Sequence, residues 1–149
     1  MTITQFNIRV YGLFALDGNI LVTDEFRLGI HMTKFPGGAL EFGEGTIDCL
    51  RREFREELDS EISDISHFYT TDFYQPTTLL TSDMQLFNVY YRLTIAKPFR
   101  FRTTVIKNDI PAVDGAQSFR WLKISGLIQD DFTFPIDKSI VGRIKSDFK

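Results

Sequence analysis

Three glutamates, Glu53, Glu56 and Glu57, stand at spacings that place them on one side of a helix. Side chains follow one another at about 100° around a helix axis, so Glu56 and Glu57 straddle Glu53 within roughly 60°. Two carboxylates about 4 Å apart repel by about 4 kcal/mol at an effective dielectric near 20. Such a cluster is either splayed into water or gathered around something positive. All-oxygen ligands suit a hard divalent cation, Mg2+ or Mn2+, better than zinc. An ion of that kind neutralises phosphate oxygens and makes a bound water nucleophilic, and a nearby glutamate can take the water's proton. The plainer reading of the same residues is a solvated helix face, in which Arg52 and Glu56 form a surface pair worth about 0.3–0.5 kcal/mol.

The chain around the glutamates has features that would position them. The stretch 35–60, FPGGALEFGEGTIDCLRREFREELDS, runs from a glycine turn into the helix. Gly37-Gly38 permits a tight backbone turn that brings a carbonyl toward the same ion. Thr46 is placed to cap the helix, and Asp48 in the first turn is favoured by the helix dipole. Ile47, Leu50, Phe54 and Leu58 make the stripe expected to pack on a core, while Asp48, Arg51 and Arg55 take the solvated arc. Cys49 falls near the carboxylate side and reads as a packing residue, since no basic partner activates its thiol.

The order Gly38, five residues, Glu44, seven residues, Arg52-Glu53-Phe54-Arg55-Glu56-Glu57 resembles the signature of the Nudix hydrolases. The Pro36-Gly37-Gly38 lead-in and the Gly43-Glu44 pair resemble that family too. The resemblance implies an enzyme that cleaves within the diphosphate of a nucleoside diphosphate linked to another group X. It assigns Glu53, Glu56 and Glu57, with the carbonyl of Gly38 or a neighbour, to Mg2+ (or Mn2+). Arg52 would orient the glutamates, with Gly37 and Glu44 bracing the turn. The base would be Glu56 or a glutamate outside the helix. One departure stands out: the family usually ends its signature with Gly and an apolar residue, and this chain has Asp59-Ser60. Aspartate accepts a left-handed helix cap less readily than glycine, and its charge opposes the negative helix end. Either the helix ends there regardless or it continues toward Ile62. A nucleotide-sensing domain without catalysis is the alternative. Such regulators carry a DNA-binding helical part afterwards, for which residues 124–149 are too short, and tend to lose glutamates that are all present here.

The 149 residues suit one domain spanning 1–149, long enough for a proper core. A net charge of −3 argues against a nucleic-acid polymer as partner. No run of 18 apolar residues and no secretory pattern is found, so no membrane is expected and a cytoplasmic location is the default. One cysteine excludes an internal disulfide framework. Residues 6–16 alternate as a strand, turn at Asp17-Gly18-Asn19 and return through Ile20-Leu21-Val22 as a hairpin. Residues 24–34 are mixed and polar. Strands are expected at 67–74, 85–95, Phe101–Val105 and Ser118–Leu122, with a polar loop from Gln75 to Asp83. Ser125 is placed to cap a brief helix to Gln129, and Ile136, Ile140, Ile144 and Phe148 mark a C-terminal amphipathic helix. This order makes an α+β sandwich, and the resemblance implies the Nudix α/β/α form with a mixed sheet between helices.

Substrate contacts are harder to read. Phe26, Phe73, Tyr74 and Tyr90 are candidates to stack on a base, and Arg27, Lys34 and Arg92 to reach phosphate oxygens. Glu41 faces either the ion or water. The isolated His31 and His67 fit no ligand spacing, and Trp121 reads as core. The identity of X is not legible. A homodimer is expected from an apolar strand edge near 98–106.

Overall fold

Strand β1 (Gln5–Leu16) runs through the middle of the sheet because its two faces are apolar in alternation. Val10 and Phe14 point to one core cluster, Tyr11 and Leu13 to the other. In the computed structural model, which describes residues 2–79 and 83–148, β1 is followed by β2 (Asn19–Arg27), β3 (Ile30–Lys34), β4 (Gly37–Ala39) and helix α1 (Thr46–Leu58). Then come β5 (Ser63–Thr70), β6 (Met84–Thr94), β7 (Gln117–Lys123), α2 (Pro135–Ser139) and α3 (Val141–Asp147). The sheet order is β3-β2-β1-β6-β5, with β4 on β1 and β7 on β2. β1 and β6 are parallel, from Gln5 opposite Met84 to Phe14 opposite Leu93. The remaining pairings are antiparallel, so the sheet is mixed. The β1–β2 hairpin closes at Asp17-Gly18, where both φ angles are positive, as tight hairpins require.

Helix α1 covers one face of the sheet through Cys49, Leu50, Phe54 and Leu58. The C-terminal segment covers the other through Ile136, Ile140, Val141 and Ile144. This is the expected α+β sandwich. Contact between α1 and the sheet depends on Gly12: a Cβ there would lie 2.5 Å from the Phe54 ring and 2.6 Å from Leu93. Gly12→Ala is therefore expected to cost about 1–3 kcal/mol in a urea melt, the range for overpacking a core. An unchanged midpoint would mean that α1 shifts freely on the sheet.

Several local expectations are corrected. Thr46 does not cap α1; the cap residue is Gly45, whose N–H donates to Asp48 Oδ2 (2.9 Å), while the Thr46 hydroxyl lies 2.6 Å from that of Tyr91. Ile47 is 40% exposed and outside the stripe, and Cys49 takes the buried place. The mixed, polar residues 24–34, to which no element was assigned, form a strand pair: β2 runs to Arg27, turns at Leu28-Gly29 and returns as β3. Their polar composition hid a strand pair because Thr23, Asp24, Glu25 and Thr33 are buried polar residues. Asp24 takes two hydrogen bonds from Arg120 (2.7 and 3.1 Å) and one from Thr33 (2.6 Å).

The strand sought at 67–74 is β5, which begins at Ser63 and ends at Thr70. Phe101–Val105 forms no strand, so the strand edge invoked for a homodimer is absent. The helix from Ser125 is instead two 3-10 turns, Ile124–Gly126 and Gln129–Asp131. The C-terminal helix breaks into α2 and α3 at Ile140, with Ile136, Ile140 and Ile144 still buried and Phe148 partly so. Within the polar loop 75–83, residues 80–82 lie outside the described residues.

The end of α1 is decided. Asp59 adopts the left-handed conformation (φ 48°, ψ 43°), its N–H donates to the Arg55 carbonyl, and the Ser60 N–H donates to that of Phe54. The helix does not continue toward Ile62. Asp59→Gly should be neutral or stabilising by up to about 1 kcal/mol, because glycine takes this conformation without strain and carries no opposing charge. A comparable loss in a denaturant melt would contradict that account of the cap.

Candidate active site

The site begins with close backbone approach. Gly37, at φ +147°, has no room for a side chain: a Cβ would lie 2.1 Å from the Val10 carbonyl oxygen in β1. At Gly38 the missing side chain is replaced by a functional group, since a Cβ would lie 2.5 Å from Glu53 Oε1. The two glycines thus let β4 lie against β1 and let the Glu53 carboxylate rest on the β4 backbone.

Arg52 holds this arrangement. Its guanidinium donates to both Glu44 oxygens (3.0 and 2.7 Å), to Glu53 Oε1 (2.9 Å), to Glu56 Oε2 (3.3 Å) and to the Ala39 carbonyl (3.1 Å). A planar fork with several donors fits such a role, which a lysine does not. The hydrogen bonds from Arg52 pull the Glu44 carboxyl down to about 2, and the same partners raise the Arg52 pKa. Glu44 also accepts from the Glu41 N–H (2.9 Å), bracing the loop between β4 and α1. Arg52 is therefore far more than half of a surface pair.

Of the glutamates, Glu53 is 12% exposed and Glu56 59% exposed. Burial, and then repulsion from Glu53, push the Glu57 carboxyl up to about 7. Its one side-chain donor in the described residues is Gln117 Nε2, at 3.4 Å. Among the described residues, no three Asp, Glu, His or Cys side chains converge on a single ion position. The three glutamates share a side of α1 but divide between two spaces. Glu53 and Glu57 line a partly open cavity of about 340 Å3, whereas Glu56 and Glu57 border a cleft on the other side. The donor set nevertheless suits a hard divalent cation. It is all oxygen, burial and then the nearby Glu53 charge raise the Glu57 carboxyl, and Gly38 gives backbone access beside it.

Other candidates are sorted by this cavity. Arg27 and Lys34 line it, Lys34 being 3.0 Å from Glu25. Glu41 is exposed and 3.7 Å from Arg52. Phe26 lies instead against His31, with ring centroids 4.9 Å apart, and Tyr74 is exposed away from the cavity. Tyr90 is a correction: it is fully buried and donates to Asp137 Oδ1 (2.6 Å), so its ring has no face for a base. Arg92 covers the Phe148 ring (4.0 Å), and Trp121, expected as core, is partly buried and packs on Phe14 at the core's edge. Burial pushes the Cys49 thiol up to about 12, in keeping with a packing role.

Sequence reasoning missed Arg9, Glu25, Asn88 and Asp137, all of which line the cavity. A signal existed for Asn88, an amide in the middle of the alternating strand 85–95, on the face opposite Val89 and Tyr91. Glu25 carried none, because its strand was not recognised.

A family model described as NUDIX domain matches residues 4–141. The chain belongs to the Nudix family. It is accordingly a hydrolase, of a family that splits pyrophosphate bonds in small nucleotide-like phosphoanhydrides and generally uses divalent cations. Solved structures share the Nudix fold at low identity. A NUDIX hydrolase from Nitrosomonas europaea aligns at TM-score 0.69 and 16% identity, covering 94% of this chain and 88% of its own. A MutT NUDIX hydrolase from Burkholderia pseudomallei gives 0.66 and 14%, over 93% and 98%. A MutT from work on Aliivibrio salmonicida and Vibrio cholerae gives 0.61 and 19%, over 96% and 99%. No curated protein matches this Nudix chain. No helix of the described residues is long and apolar enough to cross a membrane.

Proposed function

We propose that this Nudix chain is a Mg2+-dependent hydrolase of a nucleoside diphosphate linked to another group, acting in the cytoplasm through one domain spanning 1–149. The observation that carries this reading is the crowding of Glu53 and Glu57 beside Gly38 at a cavity wide enough for a small molecule. Glu57, with Glu53 and the Gly38 backbone on the cavity side and Glu56 on the cleft side, would hold divalent ions. The ions would supply charge neutralisation on the diphosphate oxygens and a lowered pKa for a coordinated water. Arg52 positions Glu53 and Glu56, fixed in turn by Glu44. Arg27 and Lys34 face the cavity as cations for phosphate oxygens.

The nucleoside end fits the inner part of the same cavity. Leu86, Phe134 and Ile136 give it apolar walls. Asn88 Nδ2 donates to the Tyr90 hydroxyl (3.2 Å), which donates onward to Asp137, and this leaves Asn88 Oδ1 buried without a partner among the described residues. An unpaired buried acceptor costs about 1–3 kcal/mol and is satisfied by a ligand N–H of the kind nucleobases carry.

Incubation with a panel of nucleotides and Mg2+, with products identified by mass spectrometry, tests this reading. Cleavage within a diphosphate is expected. Nucleotide binding without any product would favour a sensor, and neither binding nor product would overturn the nucleotide reading altogether.

A further inference from the structure

One carboxylate touches both cations assigned above to the diphosphate. Glu25, on β2, has Oε2 at 3.0 Å from Lys34 Nζ and Oε1 at 3.9 Å from Arg27 Nε. Arg9 also lines the cavity; Tyr11 raises its pKa most, and the charges of Glu25 and Glu53 raise it further. We propose that Glu25 is a positioning residue, a buried carboxylate that sets Lys34 and Arg27 on the cavity wall for the diphosphate oxygens. The inference rests on the diphosphate reading above and adds to it the group that arranges its cations.

Placement supplies the first reason. β2 lies between β3 and β7, and Glu25 stands opposite Met32 on one side and Gln117 on the other. Its backbone is therefore fixed from both sides, and its side chain is buried. Lys34 is buried with it on β3, while Arg27 is exposed two residues along β2. A single rigid acid thus spans an inner cation and an outer one.

Hydrogen bonding supplies the second. Lys34 Nζ is within ion-pair reach of Oε2 but off the line of a hydrogen bond, so Oε2 has no donor among the described residues. An ammonium carries three donors, and these are left for oxygens brought into the cavity. A buried ion pair is weak evidence for stability, since apolar residues of similar volume often serve as well. A phosphate would complete the hydrogen bonds that the fold leaves open.

Charge supplies the third. Arg9, Arg27 and Lys34 line one cavity and repel one another, and Glu25 offsets that repulsion in the free protein. Its own charge, however, opposes an incoming phosphate. Position and charge therefore pull in opposite directions, and substitutions separate them.

Calorimetry with Mg2+ and two non-hydrolysable probes, α,β-methylene-ADP and methylenediphosphonate, makes the separation. Glu25→Gln leaves the cavity one charge more positive, so charge alone would tighten binding, whereas lost positioning should weaken both probes by about tenfold. Glu25→Asp keeps the charge but draws the carboxylate back by one methylene, and should weaken them too. In a Lys34→Met background either loss should shrink to within about threefold, while a merely structural loss would persist. Thermal melts check each variant; if Glu25→Gln does not fold with Lys34 unpaired, Glu25→Asp decides. Tighter or equal binding in Glu25→Gln overturns the inference, as does equal binding in Glu25→Asp or an undiminished loss beside Lys34→Met. Binding of methylenediphosphonate alone would bring down the nucleoside part of the reading, with the Glu25 ratios on that probe still deciding the inference. Binding of neither probe to wild type would bring down the diphosphate reading and this inference with it.

Discussion

Glu57→Gln should lower turnover by about 10³-fold while the protein stays folded. The carboxylate is one of three on the face of α1 proposed to hold the divalent ion. A charge held on such an ion is worth several kcal/mol in the transition state, at 1.36 kcal/mol per decade of rate. The amide keeps the side chain's shape and leaves Leu50, Phe54 and Leu58 untouched in the core. Arg55→Ala is the control on the same helix: among the described residues Arg55 pairs only with the exposed Glu61 (2.7 Å), and its loss should change turnover little. Equal turnover in Glu57→Gln and wild type would remove Glu57 from the chemistry.

The same residue makes a pH prediction for the metal-free protein. The Glu57 carboxyl is raised to about 7 in the fold, against about 4.5 when unfolded. Between those values the folded state holds the extra proton, so stability present below about pH 4.5 is lost as pH rises to about 7. The loss should be on the order of 2–3 kcal/mol. Urea melts in chelator at pH 5 and pH 8 measure it, and Glu57→Gln should flatten the dependence.

Arg52→Ala should have the larger effect on stability. The substitution leaves Glu44 and Glu53 without the guanidinium that lies between them, both largely shielded from water (13% and 12% exposed). Removing one partner of such a network costs about 3–5 kcal/mol when fully buried, so about 2–4 kcal/mol is expected at this partial exposure. Turnover should fall by about 10²-fold or more, because Glu53 and Glu56 lose the donor that orients them. Arg52→Lys should recover little, since an ammonium cannot bridge Glu44, Glu53 and the Ala39 carbonyl at once. Full recovery by lysine would mean that charge alone, and not the fork, is what Arg52 supplies.

The spacing of Gly38, Glu44, Arg52 and the three glutamates was enough to find the helix, the glycine turn and the family. Regular alternation in 6–16 and 85–95 located the two strands that pair in parallel. What stayed hidden was long range. Glu25 and Asp24 look like loop residues until Lys34 and Arg120 are seen beside them. Asp137 sits among C-terminal residues whose periodicity says only that they cover a core. Its meeting with Tyr90, which Asn88 in turn contacts, joins β6 to α2 across the fold. Tyr90 was misjudged for the same reason, since aromatic character alone does not separate a stacking platform from a core residue. The division of Glu53 and Glu56 between two spaces depends on where β7 and residues 100–119 pass, which no helix pattern reveals.

The central claim is that the carboxylates of α1 hold a divalent cation, and Mn2+ binding followed by electron paramagnetic resonance tests it most directly. Titrating Mn2+ into wild type should quench the free-ion signal at one or a few sites per chain, with Mg2+ competing. Glu53→Gln and Glu57→Gln should each weaken that binding by about tenfold or more, at about 1.4 kcal/mol per decade, and Arg55→Ala should leave it unchanged. Equal Mn2+ affinity in wild type and both glutamine variants would contradict the account.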